Sequence, residues 1–115
     1  LYHSMTVQVP IETRQGVHNV PISSIIMVEA QGKKVIVHTT ARDYESIHTM
    51  QYWLDQLPVN RFFQTHRSFI INYEHITNFD HMLVHLSNGQ FTAYLTKRKY
   101  SAFKGAYLLY LESTR

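Results

Sequence analysis

The sequence has no cysteine, which removes disulfides, thiolate zinc sites, thiol nucleophiles and iron–sulfur ligation together. It has only 4 glycines and 3 prolines, and none of the glycines builds a loop that could cradle a phosphate. No GxSxG elbow, HExxH helix or close carboxylate pair occurs, so no enzyme activity, cofactor or small-molecule substrate is expected. No apolar run approaches the ~18 residues of a membrane span. The opening residues, Leu1-Tyr2-His3-Ser4-Met5, lack the charged start and apolar stretch of a signal peptide. Repeats and low-complexity tracts are missing as well. What remains is 115 residues, 44% of them hydrophobic, enough for one domain with a core of its own and not for two. The chain reads as a single domain over 1–115, cut from a longer protein.

Charge is unevenly placed. Of the formal +3, residues 1–55 contribute −1 and residues 56–111 contribute +4. A local excess of this kind suits a face that meets an anion, though it also suits an ordinary solvated surface.

The patterning mixes strands and helices. Residues 5–13 alternate around Val7, Val9 and Ile11, and residues 17–22 form a second short strand beyond Gly16. Residues 25–30 are continuously apolar, and residues 33–39 return after Gln31-Gly32, a hairpin with Lys33 and Lys34 at its tip. Over residues 46–57 the period changes: Ile47, Met50, Leu54 and Leu57 recur at three and four residues, which predicts an amphipathic helix ended by Pro58. Asn88-Gly89 is a type I′ turn signal that sets Leu86 opposite Phe91, Val84 opposite Ala93 and Met82 opposite Leu95 on one apolar face. Residues 97–111 place Tyr100, Phe103, Tyr107, Tyr110 and Leu111 on one helical arc.

Eight histidines invite a search for a metal site. His81 and His85 share one strand face and His75 is near, but no third ligand of suitable geometry is visible, and histidines on the wet side of a hairpin ordinarily serve as polar surface. More informative is the run Arg61-Phe62-Phe63-Gln64-Thr65-His66-Arg67-Ser68-Phe69-Ile70-Ile71-Asn72. Its aromatic and aliphatic residues can anchor a turn in a core. His66, Arg67, Ser68 and Asn72 are then donors on that turn, with Arg67 suited to phosphate or a guanine edge. His66 and Asn72 could equally cap backbone groups within the turn.

With these residues the sequence resembles the LytTR DNA-binding domain. The likeness rests on Ile25-Ile26-Met27-Val28-Glu29-Ala30 before a basic tip, residues 44–57 as a single internal helical region, and Phe62 through Asn72. Ile76, Leu86-Ser87-Asn88-Gly89 and Thr96-Lys97-Arg98 complete it. It covers residues 5–104, leaving 105–115 as an extension. The resemblance implies a mainly β (α+β), elongated antiparallel fold of three small sheets, with an internal helix at about 46–57 and a C-terminal helix at about 97–111. It implies the cytoplasmic output domain of a bacterial response regulator of a two-component system, whose upstream regulatory domain lies outside this chain. The partner is double-stranded DNA carrying paired direct repeats, with a second protomer on the adjacent repeat and the duplex bent. Base contacts fall to Lys33, Arg67 and Arg98, and backbone contacts to Lys34, His66, Ser68, Tyr94, Thr96, Lys97 and Lys99. Many relatives carry Ser-Arg where this chain has Thr96-Lys97, which moves the arginine role to Arg98. Two other readings stand beside this one: a protein-interaction module using the C-terminal tail, and a histidine-based metal-binding domain.

Overall fold

A computed structural model describes residues 7–114. Its centre is a five-stranded antiparallel sheet in the order β5-β4-β3-β7-β6. The strands are β3 (Ile25–Gln31), β4 (Lys34–Thr39), β5 (Asp43–Ser46), β6 (Phe62–His66) and β7 (Phe69–Asn72). A hairpin of β1 (Gln8–Thr13) and β2 (Gly16–Pro21) and a three-stranded sheet of β8 (Ile76–Phe79), β9 (Leu83–Leu86) and β10 (Phe91–Tyr94) complete the three sheets. Two helices, α1 (Met50–Gln56) and α2 (Tyr100–Ser113), stand on opposite faces. None of the described helices is long and apolar enough to cross a membrane.

Strand alternation divides the central sheet into two faces, each with its own core. On one face Val28, Val37 and Ile70 meet Ile11 and Val20 of the first hairpin and Trp53 of α1. On the other, Met27, Phe69 and Ile71 meet Val84, Leu86 and Ala93 of the small sheet and Phe103 of α2. The continuous apolar run from Ile25 to Val28, all buried, is what a strand covered on both sides requires. The result is a slab of 42 × 38 × 25 Å.

Both helices begin later than the periodicity predicts. Residues 46–57 are not all helical: Ser46 ends β5, paired with Val35. Its hydroxyl accepts from the Trp53 indole at 3.0 Å and from the His48 amide at 3.0 Å. The cap is Thr49, whose side chain accepts from the Tyr52 amide, and Ile47, assigned to the buried stripe, is 55% exposed. The C-terminal helix opens with a separate 3₁₀ turn over Lys97–Lys99 before α2. Its Tyr100, Phe103, Tyr107 and Tyr110 face the core as expected, whereas Leu111 is exposed. The β9–β10 hairpin keeps the expected register from Leu86 opposite Phe91, but Met82, expected on the apolar face, is 73% exposed. There the chain turns at Asp80, whose carboxylate accepts from the Met82 and Leu83 amides and lies below its usual pKa because of those bonds. The start of the first strand at Met5 lies outside the described residues.

Candidate nucleic-acid interface

Antiparallel pairing of β3 with β7 brings two hairpin tips to the same end of the slab. Glu29 is opposite Phe69, and the Ala30 amide donates to the Ser68 carbonyl at 2.9 Å. The first tip is Gly32-Lys33, where Gly32 has a φ of +63° and Gln31 pairs with Lys34. A positive φ at the first of two loop residues is the signature of the tight II′ turn, and it leaves both Lys33 and Lys34 exposed. The second tip is Arg67-Ser68. It is held by three bonds that leave the Arg67 side chain free: the Ser68 amide donates to His66 Nδ1 at 3.1 Å, Gln64 Nε2 donates to the Arg67 carbonyl at 3.4 Å, and the Ser68 carbonyl accepts from Ala30. Strands in a sheet lie about 4.8 Å apart, so these tips, two strand spacings apart, are separated by about 10 Å.

The third segment is fixed by a bulge. Pairing of β6 with β7 slips between Gln64 and His66, which gives Thr65 a carbonyl directed away from β7. That carbonyl accepts from the Thr96 amide at 3.0 Å, and Lys99 Nζ donates to the Gln64 carbonyl at 2.9 Å. Bulges re-aim strands near functional sites, and here one docks the start of the 3₁₀ turn against β6. The three segments therefore stand in a row: Lys33 and Lys34, then Arg67 and Ser68, then Tyr94 through Lys99.

Among the described residues, Lys33, Lys34, Arg67, Lys97 and Arg98 make no ion pair. The acids that could have neutralised Arg67 are engaged elsewhere, Glu74 with Arg61 at 3.2 Å and Asp80 with its own turn. Lys97, Arg98 and Lys99 precede α2, which has no side-chain cap and no acid in its first turn, so cations crowd the positive end of a helix dipole, an arrangement that an anion relieves. Burial, and secondarily Arg98, lower the Lys99 pKa. Tyr94, 59% exposed, stands edge-on to Phe69 with centroids 5.7 Å apart and lies 5.9 Å from the His66 ring. With His81, Met82 and Lys97 these two rings line a concavity of about 760 Å³ beside the row.

Two of the expected contact residues also have partners or burial inside the protein: Lys99 Nζ donates to the Gln64 carbonyl, and the Thr96 hydroxyl is buried with no partner among the described residues, while both residues remain partly exposed. Asn72 is wholly structural: it is 0% exposed, donating to the Ile25 carbonyl and accepting from the Glu74 amide. Gln64 and Ala30, which set the Arg67 turn, have no signal in the sequence beyond their strand positions. The histidines do not converge. His75 Nε2 is 2.7 Å from the Ser23 carbonyl, His81 stacks on Tyr100 at 4.0 Å, and among the described residues no three ligating side chains gather.

Comparison with known proteins adds a family to this geometry. Residues 15–107 match the family described as LytTr DNA-binding domain. A solved LytTr DNA-binding domain from Bacillus cereus superposes with a TM-score of 0.73 at 27% identity, covering 89% of this chain and 97% of that one. The sensory transduction protein LytR of Staphylococcus epidermidis is 31% identical over 72 residues, 63% of this chain and 29% of the relative. The transcriptional regulatory protein NatR of Bacillus subtilis is 28% identical over 109 residues, 90% of this chain and 47% of the relative. The chain thus spans less than half the length of either curated relative.

Proposed function

The chain belongs to the LytTR DNA-binding domain family, and on that premise we propose that it binds double-stranded DNA sequence-specifically as the output domain of a bacterial transcriptional regulator. The observation that carries this proposal is the row of three projecting segments whose cations have no acidic partner among the described residues. Lys33, Arg67 and Arg98 read base edges. Both arginines can meet guanine O6 and N7 bidentately, with about 1–3 kcal/mol of discrimination each. Lys34, His66, Ser68, Tyr94 and Lys97 contact the sugar–phosphate backbone and set register. The Thr96 amide and Lys99 hold the third segment in place from inside.

The Lys33 and Arg67 tips, about 10 Å apart, fit the ~12 Å width of one major groove, so the β10–α2 junction is left to reach the next groove with the duplex bent toward it. One protomer takes each of two direct repeats about one helical turn apart. The parts of a longer protein in which such a domain would serve, an upstream regulatory domain and its signal, belong to the same proposal.

Fluorescence-anisotropy titration against a duplex with tandem repeats and a scrambled duplex, each at two salt concentrations, tests this. Tighter binding to the repeats at both salts is expected, with a log–log salt slope near −4.5 for about five neutralised phosphates. Arg67→Ala and Arg98→Ala should each erode the preference for the repeats. Equal, weak binding to both duplexes that vanishes at the higher salt refutes sequence-specific reading.

A further inference from the structure

His66 carries one bond whose direction fixes the state of its ring. The Ser68 amide donates to His66 Nδ1 at 3.1 Å, and a backbone N–H can only donate, so in this turn Nδ1 is bare and the ring is neutral with its proton on Nε2. The bond shapes the turn that presents Arg67. Arg67-Ser68 is a two-residue loop between His66 and Phe69, which pair across it, yet neither loop residue has the positive φ of the primed turns that suit such hairpins. Turns without it commonly carry Asp or Asn at the first position, whose side chain accepts from the backbone two residues on. Here imidazole Nδ1 takes that part. The ring is steadied by Phe69, edge-on at 5.8 Å, and by Tyr94 at 5.9 Å. The charged and titratable groups around it are Arg67 in the turn, His81, Lys97 and the Tyr94 phenol in the shared concavity, and Lys99, whose Nζ is bonded to the Gln64 carbonyl of the same strand. Among the described residues no carboxylate pairs with the ring.

We propose that His66 is a positioning residue for sequence reading, and that reading requires its ring to be unprotonated. The inference rests on the DNA reading above. Imidazole is the side chain that changes charge between about pH 5 and 8. A proton on Nδ1 sets a donor against the Ser68 amide, itself a donor, so the bond is lost and the Arg67 guanidinium is no longer held in one direction. The same proton adds a cation to the row, which raises the general attraction for phosphates. Acid therefore acts in opposite senses on the two components of binding: diffuse attachment strengthens while discrimination among sequences fails. In the neutral ring Nε2–H is left as the donor for a phosphate, so one imidazole serves both the turn and the backbone contact.

Anisotropy titrations of the tandem-repeat and scrambled duplexes at about pH 8 and about pH 5.5 test this. For the parent chain the affinity ratio between the two duplexes should fall about tenfold in acid, the scale of one lost bidentate contact, while affinity for the scrambled duplex rises. His66→Asn keeps an acceptor for the Ser68 amide and cannot titrate. It should bind both duplexes more weakly, having lost Nε2–H, yet keep its ratio at both pH values. His66→Gln places its oxygen near the position of Nε2 instead, and should show the lowered ratio even at the higher pH. In the free parent chain at the higher pH, imidazole ¹⁵N shifts should show Nδ1 bare and Nε2 protonated. This proposal alone is overturned by a parent that prefers the repeats equally at both pH values, by a ratio in His66→Asn that falls with the parent's, by a ratio in His66→Gln equal to the parent's at the higher pH, or by a neutral ring protonated on Nδ1. A parent with no preference at either pH overturns the DNA reading and this proposal together.

Discussion

Replacing Asn72 with alanine should cost the protein a large part of its stability. The side chain is fully buried, and Nδ2 donates to the Ile25 carbonyl at 2.8 Å while Oδ1 accepts from the Glu74 amide at 2.9 Å. It therefore ties the end of β7 to the start of β3 and caps the 3₁₀ turn Tyr73–His75. In the alanine variant a buried carbonyl loses a donor, at about 1–3 kcal/mol, and the turn loses its cap, at about 0.5–1 kcal/mol. With the small void left behind, the total is about 2–4 kcal/mol. Urea unfolding followed by the fluorescence of Trp53, itself 1% exposed, reads this directly. With a slope of about 1–2 kcal/mol per molar urea, the midpoint should fall by about 2 M at unchanged slope. Asn72→Asp is the sharper variant. It preserves the acceptor for Glu74 but sets a carboxylate oxygen against the Ile25 carbonyl, so near neutral pH it should lose at least as much. A midpoint shift below about 0.5 M in the alanine variant, or an aspartate variant as stable as the parent, would refute the assignment of Asn72 as a two-sided clamp.

Gly105 lies within α2, and a Cβ there meets nothing within 4 Å. Gly105→Ala should therefore stabilise by about 0.5–1 kcal/mol, raising Tm by about 3–5 °C in a thermal scan; an unchanged or lower Tm counts against it. Tyr73 titrates near 10 when unfolded and at about 12 when folded, so its contribution to stability is complete below pH 10 and is lost as pH rises toward 12. Urea midpoints across that window should drop more steeply for the parent than for Tyr73→Phe, and parallel curves would contradict the burial of the phenol. Lys99→Met retains the apolar stem and removes the bond to Gln64, so it should weaken DNA binding with the salt slope unchanged. A slope shallower by about 0.9 would instead make Lys99 a phosphate ligand.

Local chemistry was legible where neighbours along the chain decide the outcome. Gly32 before two lysines, and Asn88-Gly89 between alternating apolar residues, place their hairpins correctly because turn geometry depends on a few adjacent residues. The second turn has the type I′ geometry its signal implies, with φ of +58° at Asn88 and +86° at Gly89 and the Gln90 amide donating to the Ser87 carbonyl at 3.2 Å; Ser87 has a positive φ as well, and the Ser87 and Asn88 amides donate to the His75 carbonyl and the Thr77 hydroxyl. The stretch from Ser46 misled because a helical period can arise by chance in a short strand followed by a turn. Pairing of Ser46 with Val35 and its bond to Trp53 decided the matter from outside the window. Arg67 could be picked out from its turn-and-anchor setting. Its adjacency to Lys33 could not, since that depends on β3 pairing with β7, and the bonds that Lys99 and the Thr96 amide make to β6 depend on a bulge at Thr65 that no residue type announces.

The β3–β7 pairing also bears on how the chain folds. Each hairpin is local and can form within microseconds, but Glu29 and Phe69 are far apart in sequence, with β4, β5, α1 and β6 intervening, so their meeting carries a loop-closure cost and belongs to the slow, non-local part of folding. Before that event the Lys33 and Arg67 tips wander independently. On the reading proposed above, a nascent or partly unfolded chain has the cations but not their spacing and holds DNA only through diffuse attraction, and recognition of a particular sequence waits on closure of the central sheet.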